Sequence, residues 1–281
     1  MSKNKTIKKV LENIAHLPVY ILLAFVVALV LVPIIWMFAG SFKPAQEIMA
    51  YPPTFFSTSF TLEHFSRLLR RISILDYTKN SAIYAIFTTI PSVFINSLAG
   101  YAFARMQFKG KNVFFLATLS TLMIPFQVIM IPLFLVVNRM GMYDTYLGLI
   151  LPKLANAIAI FMMRSVFVSI PKELEEAGRI DGLSEFGLYW KIMLPQCKAT
   201  IVTLIVLGIN GAWNDLMWPL LVTGDTRMRT LANGLALFVG TDTIEYGPAF
   251  AGALISVLPM LLLYLFGQRY FVKGTVTSGL K

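Results

Sequence analysis

Six long apolar runs, separated by short polar stretches, give this chain its pattern, and each is long enough to be a membrane-crossing helix. They cover about 17–38, 81–104, 113–137, 146–168, 200–222 and 249–271. A helix needs roughly 20 mostly apolar residues to cross about 30 Å of hydrocarbon, and every run meets that length. The first run follows Lys3, Lys5, Lys8 and Lys9 and precedes the small residues Ala39, Gly40 and Ser41, which imitates a secretory leader. A leader's apolar core is only about 7–15 residues long, so the run is expected to stay as a helix. Between the first two runs lies TLEHFSRLLRRIS. There Phe65, Leu68, Leu69 and Ile72 recur at helical spacing beside Arg67, Arg70 and Arg71, which predicts a short amphipathic helix. It could lie on a membrane surface, against a partner, or simply on the spans.

Proline and glycine punctuate the runs at Pro33, Pro91, Pro125, Pro132, Pro219 and Pro259, and at Gly208, Gly211 and Gly252. Such residues are tolerated in spanning helices where neighbours or water satisfy the freed backbone groups, and they permit kinks and close approach.

Composition strengthens the membrane reading. Hydrophobic residues make up 57% of the 281 and charged residues only 14%, with a mean hydropathy of +0.72, far from the soluble average. The net charge of +10 is scattered between apolar runs and forms no basic stripe, which argues against nucleic acid. Cys197 is the single cysteine, and the two histidines, His16 and His64, make no metal-ligand spacing. The fold class expected is all-α, a polytopic membrane protein with six transmembrane helices. Its parts are a tail over 1–16, a membrane domain over 17–271 and a second tail over 272–281.

Six spans put both termini on one side. The N-terminal tail, the 105–111 loop, the 172–198 loop and the tail from Arg269 together hold 14 of the 24 basic residues, so the positive-inside rule makes that side cytoplasmic. The sequence contains no GxxxxGK[ST] phosphate loop, GxGxxG turn or HExxH pair, so it supplies neither an ATPase nor a metalloenzyme. Asp215 is the one acid expected near membrane depth. It lies near the end of its run, where it could reach water, so an ion-coupled carrier is the less favoured alternative.

The polar exception is ELEEAGRIDGLSEFGLYWKIMLP, 173–195, with five of the 14 acidic residues. It reads as helix, turn, helix. Pro171 suits a first helical position, Gly182 a left-handed stop and Ser184 a second N-cap, with Glu185 in the first turn and Pro195 ending the helix. Leu174, Ala177 and Gly178 are expected on one narrow face that another surface could approach. Glu173, Glu175, Glu176 and Asp181 are expected on the other, as partners for Arg or Lys.

The stretch resembles the cytoplasmic signature of ABC-importer permeases: Glu-Ala-Ala, three residues, Gly, nine residues, Ile, any residue, Leu-Pro. Here it reads Glu176, Ala177, Gly178, Gly182, Ile192, Leu194, Pro195, with Gly178 in place of the second Ala. GYAFARMQFKGK from Gly100, RIDGLS from Arg179, WNDLMWPLLVTGD from Trp213, RTLANGLALF from Arg229 and QRYFVKG near the C-terminus are similar to the carbohydrate-uptake branch. The likeness is to its maltose- and glycerol-phosphate-type second permease subunit.

The resemblance implies a type I ABC-importer permease in a prokaryotic cell membrane, forming half of a pathway for a sugar or another polar solute. Its implied partners are a second, related permease, an extracytoplasmic solute-binding protein, membrane lipid and two cytoplasmic ATPases that bind ATP and Mg; this chain itself would hold no cofactor. Within the 170–198 loop, Glu173, Glu176, Ala177, Gly178, Asp181, Gly182, Ile192, Leu194 and Pro195 are expected to couple it to the ATPase. Glu176 would pair with a basic residue there. Asn210, Trp213, Asn214, Asp215 and Trp218 offer amide, carboxylate and aromatic surfaces to a sugar, or serve as glue between helices. Arg227 and Arg229 could meet acids of the binding protein or remain solvated.

Overall fold

The computed structural model describes residues 2–55, 57, 59–238 and 245–278, with side chains inside 16–266. Among them every regular element is helical. The basic side chains of both expected tails, before 16 and from Arg269 onward, lie outside the described residues, as do the last three residues.

The chain divides into two compact units, Met1–Ile72 with Phe238–Ile255, and Ser73–Leu237 with Ser256–Lys281. The first contains α1 (Ser2–Ser41), α2 (Ala45–Ile48) and α3 (Glu63–Arg71). Helix α1 continues unbroken through the expected N-terminal tail, and its apolar side chains from Leu17 to Phe38 face outward, as lipid-facing residues do. Helix α3 is the expected amphipathic helix, rotated from the expected stripe. His64, Leu68 and Ile72 are buried while Leu69 is 62% exposed, because residues four apart share a face and His64 has a partner inside. Its Nε2 lies 2.7 Å from the Lys43 carbonyl oxygen. Arg71 pairs with Glu245, and Arg67 lies 3.9 Å from the same carboxylate.

The second unit is built on α4 (Ile74–Arg105), followed by α5 (Lys111–Ser120), α6 (Phe126–Arg139), α7 (Tyr146–Ile150), α8 (Ala157–Ser169) and α9 (Glu173–Ile180). Then α10 (Glu185–Gly187) passes through a π-helical stretch, Leu188–Met193, into α11 (Leu194–Gln196). Helices α12 (Lys198–Trp213), α13 (Met217–Val222) and α14 (Leu231–Ala236) come next, and α15 (Tyr246–Ser278) closes the chain.

Three helices, α1, α4 and α15, are singly long and apolar enough to cross a membrane. Three bent pairs also qualify: Lys111–Met123 with Phe126–Arg139 at 104°, Tyr146–Lys153 with Ala157–Ser169 at 44°, and Glu185–Gln196 with Lys198–Trp213 at 80°. The count is three to six spans, six being the number expected from sequence. The third and fourth expected runs are therefore not straight helices, whereas the last bent pair starts inside the expected 170–198 loop and ends at Trp213, short of the fifth run's expected end at 222. The fifth corresponds to α12 and α13, broken at 214–216.

Helix α4 begins seven residues before the expected start at 81, and its 32 residues extend about 48 Å, more than the hydrocarbon needs. It hides its polar side: Asn80, Ser81, Thr88, Thr89, Ser92, Asn96 and Ser97 are buried, whereas Ile86, Phe87, Ile90, Phe94 and Ile95 face outward. A soluble helix does the reverse; in lipid the polar and small side chains join helices. Helix α4 packs on α8 and α12 through this face.

Breaks at membrane depth require partners for freed backbone groups. Asn96 supplies them at 154–156: its Nδ2 donates to the Leu154 carbonyl at 2.8 Å, and its Oδ1 accepts from the Asn156 N–H at 3.1 Å. The Asn156 side chain then caps α8 by accepting from the Ala159 N–H at 3.0 Å. At the next break Asp215 Oδ1 accepts from the Trp218 N–H at 3.3 Å.

Candidate functional site

Two regions of the second unit hold the expected functional residues. The first is the polar segment. Gly182 has φ +80°, a conformation glycine adopts without a steric penalty. The Leu183 N–H reaches the Gly178 carbonyl and the Gly182 N–H reaches the Arg179 carbonyl, both at 3.0 Å. This is the double closure of a Schellman stop. Ser184 caps the next helix by accepting from the Gly187 N–H at 3.2 Å. Helix α9 starts at Glu173, so Pro171 stands outside it and is not its first residue. Pro195 lies within α11 and does not end the helix. The wider π turns immediately before it accommodate the missing donor and the ring, and the chain turns after Gln196.

The faces of α9 differ from expectation. Ala177 points outward and Gly178 inward, so the small residues do not share a face. A Cβ on Gly178 would fall 2.5 Å from Ile192 Cδ1 and 2.6 Å from Leu188 Cδ2. The departure from the Glu-Ala-Ala pattern is a packing adjustment to this chain's own Ile192. Glu175 is also turned inward: its Oε1 lies 3.4 Å from Arg105 Nε, with the two side chains only 10% and 7% exposed. The contact is an ion pair without hydrogen-bond geometry, and Arg105 donates through Nη2 to the Ile170 carbonyl. Glu175 is thereby committed within the chain and is unavailable to a partner. Tyr189 and Ser97 share a hydrogen bond of 2.6 Å, and Tyr101 donates to Glu185 at 3.5 Å. All three links join the segment to the last turns of α4.

What remains outward on α9 is Glu173, Leu174, Glu176, Ala177, Arg179 and Ile180, with Leu174 42% and Ile180 86% exposed and Arg179 paired with Glu185 at 2.8 Å. Asp181 and Gly182 are exposed at its end, and Pro195 is exposed beyond; Leu194 packs on the core with Met193 and Cys197. An apolar ridge flanked by carboxylates on a helix anchored from behind has the form of a docking surface.

The second region is a cavity of about 480 Å³ between α4, α8 and α12. Of the five expected solute-path residues, only Asp215 lines it. Trp213 donates to the Ser256 carbonyl at 3.1 Å and Trp218 to the Leu149 carbonyl at 3.2 Å, both rings being buried. They join helices. Asn214 donates to the Asn210 carbonyl at 2.9 Å and to its side-chain oxygen at 3.1 Å, so this pair is turned on itself. Asp215 does not simply reach water. Its Oδ2 accepts from Tyr84 Oη at 2.9 Å and lies 3.2 Å from Lys153 Nζ. That ammonium stands 3.6 Å from the centre of the Phe126 ring and 5.9 Å from that of Trp218, close enough for cation–π attraction. Sequence reasoning missed Lys153 and Tyr84. The signal was a lone lysine inside the fourth apolar run, since an ionisable residue at membrane depth is functional by default.

Arg227 turns back on Asp225, with Nη2 to Oδ2 at 2.7 Å, and both Arg227 and Arg229 offer carbonyls to Asn80 Nδ2. The Asp225 carboxyl is held down at about 2, chiefly by the Arg227 side-chain hydrogen bond.

Residues 96–276 match the family described as binding-protein-dependent transport system inner membrane component. Among curated relatives, the arabinooligosaccharides transport system permease protein AraQ of Halalkalibacterium halodurans is 34% identical over 92% of this chain and 94% of its own length. The lactose transport system permease protein LacG of Rhizobium radiobacter is 30% identical over 97% and 98%. The sn-glycerol-3-phosphate transport system permease protein UgpE of Pectobacterium atrosepticum is 35% identical over 71% and 72%. In fold the chain is similar to a bacterial ABC transporter involved in the import of the acidic polysaccharide alginate, with a TM-score of 0.80 at 22% identity, covering 92% of this chain and 97% of that one. A second likeness, TM-score 0.65 at 15% identity over 91% and 94%, is to a bacterial alginate ABC transporter in complex with an alginate pentasaccharide-bound periplasmic protein.

Proposed function

The chain belongs to the family of binding-protein-dependent transport system inner membrane components, and on that premise we propose that α9 is the surface through which a separate ATPase drives it. The protein is a multi-pass membrane permease subunit of an ABC importer, and its relatives are permeases, not enzymes. Its own work is to form part of a pathway and to change shape.

The observation that carries the proposal is the two-sided construction of α9. Outward it offers Leu174, Ala177 and Ile180 beside Glu173 and Glu176; inward it is tied by Glu175 to Arg105 at the end of α4. A partner that grips the outer side moves the inner side, and α4 moves with it. Two cytoplasmic ATPases, binding ATP and Mg, supply the force. Both termini and the 170–198 loop lie on their side of the membrane, a second permease completes the pathway, and an extracytoplasmic protein delivers the solute. ATP binding favours the outward-facing arrangement and hydrolysis restores the inward-facing one, a shift between rigid arrangements of packed helices. The solute is a carbohydrate, as the arabinooligosaccharide and lactose permeases among its relatives suggest.

Purification from membranes in mild detergent tests this. An ABC ATPase, a second permease and a solute-binding protein are expected to accompany the chain. A chain that purifies alone, with uptake that survives loss of the ATPase and collapses with the ion gradient, would overturn it.

A further inference from the structure

Helix α3 buries one flank and leaves a second apolar flank bare. His64, Leu68 and Ile72 face the interior of the first unit. Leu62, Phe65 and Leu69 recur at i, i+3 and i+7 and so share the adjoining flank, where Leu62 and Leu69 are exposed. Two contacts fix the position of this flank. The Thr61 N–H donates to the Phe42 carbonyl at 2.9 Å, and His64 Nε2 lies 2.7 Å from the Lys43 carbonyl oxygen, so α3 is tied to the two residues that follow α1. The apolar part of α1, His16–Ser41, has 26 residues; it is about 39 Å long against about 30 Å of hydrocarbon, so its last turns emerge among the lipid headgroups. Lys43 Nζ stands there 4.7 Å from the centre of the Trp36 ring, and membrane interfaces favour such rings and cations. Ring contacts then run from Phe38, exposed at the lipid-facing end of α1, to Phe42 at 5.3 Å and from Phe42 to Phe65 at 5.2 Å. The bare flank of α3 thus continues the lipid-facing surface of α1. On the opposite flank, Arg67 Nη2 reaches Glu63 Oε1 at 2.6 Å, and Arg67 and Arg71 share Glu245. Arg70, at the edge between the two flanks, is exposed and has no acid partner among the described residues.

We propose that α3 is an interfacial anchor whose Leu62, Phe65 and Leu69 flank lies among the upper acyl chains of the phospholipid leaflet at the Ser41 end of α1, with Arg70 at the level of the lipid phosphates and Arg67 and Arg71 in water. The partner is the phospholipid surface. A protein that recognised α3 by its charge would need free arginines, and two of the three are occupied by Glu63 and Glu245. A protein that covered the bare flank would have to displace the lipid that reaches it along Phe38 and Phe42. The guanidinium of Arg70 has the planar fork that matches phosphate oxygens, and its apolar stem can lie along the flank beneath. The placement also accounts for the rotation of α3 from the predicted stripe. One flank serves the interior of the unit and the next serves lipid, so Leu69 is apolar without being buried. The consequence is mechanical: an anchor at the Ser41 end holds α1 at a fixed depth in the bilayer. The assignment rests on the membrane location of the chain and is independent of the ATPase reading.

Spin-label accessibility in phospholipid nanodiscs tests the placement. The chain carries one cysteine, so Leu62→Cys, Arg67→Cys, Leu69→Cys and Arg70→Cys are introduced singly in a Cys197→Ala background. All four side chains are exposed, so a label at any of them displaces no packed group, and loss of the exposed Arg67 pairs costs little. The full-length protein, with the chains that purify with it, carries a nitroxide at each position in turn. Collisions with oxygen, which partitions into lipid, are compared with those of a neutral nickel chelate, which stays in water. The ratio of oxygen to nickel collisions is expected to be higher at Leu62 and Leu69 than at Arg67 by about threefold or more, because a polar chelate is excluded from the acyl region. Arg70 should give an intermediate ratio. Ratios at Leu62 and Leu69 no higher than at Arg67 would put the flank in water. Few collisions with either reagent at Leu62 and Leu69 would mean that a protein chain covers it, and nickel access lost only on adding a solute-binding protein would make it that protein's dock. An Arg70 ratio equal to that of Arg67 would remove it from the phosphates. Each of these results would overturn the assignment. None depends on whether ATP hydrolysis drives the protein, so the importer reading stands or falls separately in the purification experiment.

Discussion

Breaking the Arg105–Glu175 pair should release α9 from α4 while leaving the membrane helices in place. Both side chains are nine-tenths buried or nearly so, and removing one partner from such a pair strands the other charge at a cost of about 3–5 kcal/mol. Every 1.4 kcal/mol is a factor of about ten, so Glu175→Met should increase local opening of α9 by roughly a hundredfold or more. Where docking is worth less than that, α9 is simply undocked. Arg105→Met should do the same. The double variant replaces two charges by two apolar side chains that can pack, so it should be far less damaging than either single change. A non-additivity of about 2 kcal/mol or more is expected for groups in direct contact. Hydrogen exchange of the Glu173–Ile180 amides, followed by mass spectrometry in detergent, reads the opening. Additive effects, or a Glu175→Met variant whose α9 exchanges as slowly as the original, would refute the claim that this pair holds the helix.

Other outcomes follow from the same geometry. Gly178→Ala gains about 1 kcal/mol of helix propensity but overpacks the contact with Ile192, a penalty of about 1–3 kcal/mol. It should lower the thermal midpoint slightly, and Ile192→Val, which removes the clashing Cδ1, should restore part of the loss, because Leu188 Cδ2 still lies 2.6 Å from the added Cβ. Gly182→Asp meets no neighbour within 4 Å, so it should cost only the left-handed backbone penalty, about 1–2 kcal/mol. A transport loss much larger than that stability loss would come from the partner surface. Glu176→Lys reverses an exposed charge and should leave the protein in the membrane at normal yield while ATP hydrolysis continues without uptake; normal solute accumulation would count against the coupling role. For Asp225 the folded-state value, about 2, lies below the ordinary 3.8. Its contribution is therefore complete above about pH 4 and disappears as pH falls through 2. Exchange at the Arg227 amide, corrected for its intrinsic pH dependence, should accelerate in that window and be flat above it; acceleration near neutrality would contradict the assignment.

What could be read from the sequence was what lipid and local backbone chemistry enforce. The apolar runs had to be visible because hydrocarbon tolerates few charges. Gly182 and Ser184 were legible because a left-handed stop and an N-cap are local features with characteristic residues. The helix breaks were less so. Pro125 and Pro132 both lie in the third run, and only the first stands at the bend. The break at 154–156 depends on Asn96, some sixty residues away, which sequence periodicity cannot reveal. The orientation of α9 also escaped, because an eight-residue helix offers two reasonable faces. The contacts to Arg105 and Ile192 decide between them. Of the five residues expected along the solute path, the two tryptophans bond carbonyls of neighbouring helices, while the exposed Asn210 and Asn214 bond each other outside the cavity. Asp215 remained, with a lysine partner that had been present in the fourth run throughout.

Site-specific photo-crosslinking in intact cells asks whether the outward face of α9 meets an ATPase. A photoreactive amino acid at Ala177 or Ile180 should yield an adduct with an ABC ATPase subunit, and one at Thr226, proposed to lie across the membrane, should yield none. Adducts from Thr226 alone, or none containing an ATPase from either α9 position, would contradict it.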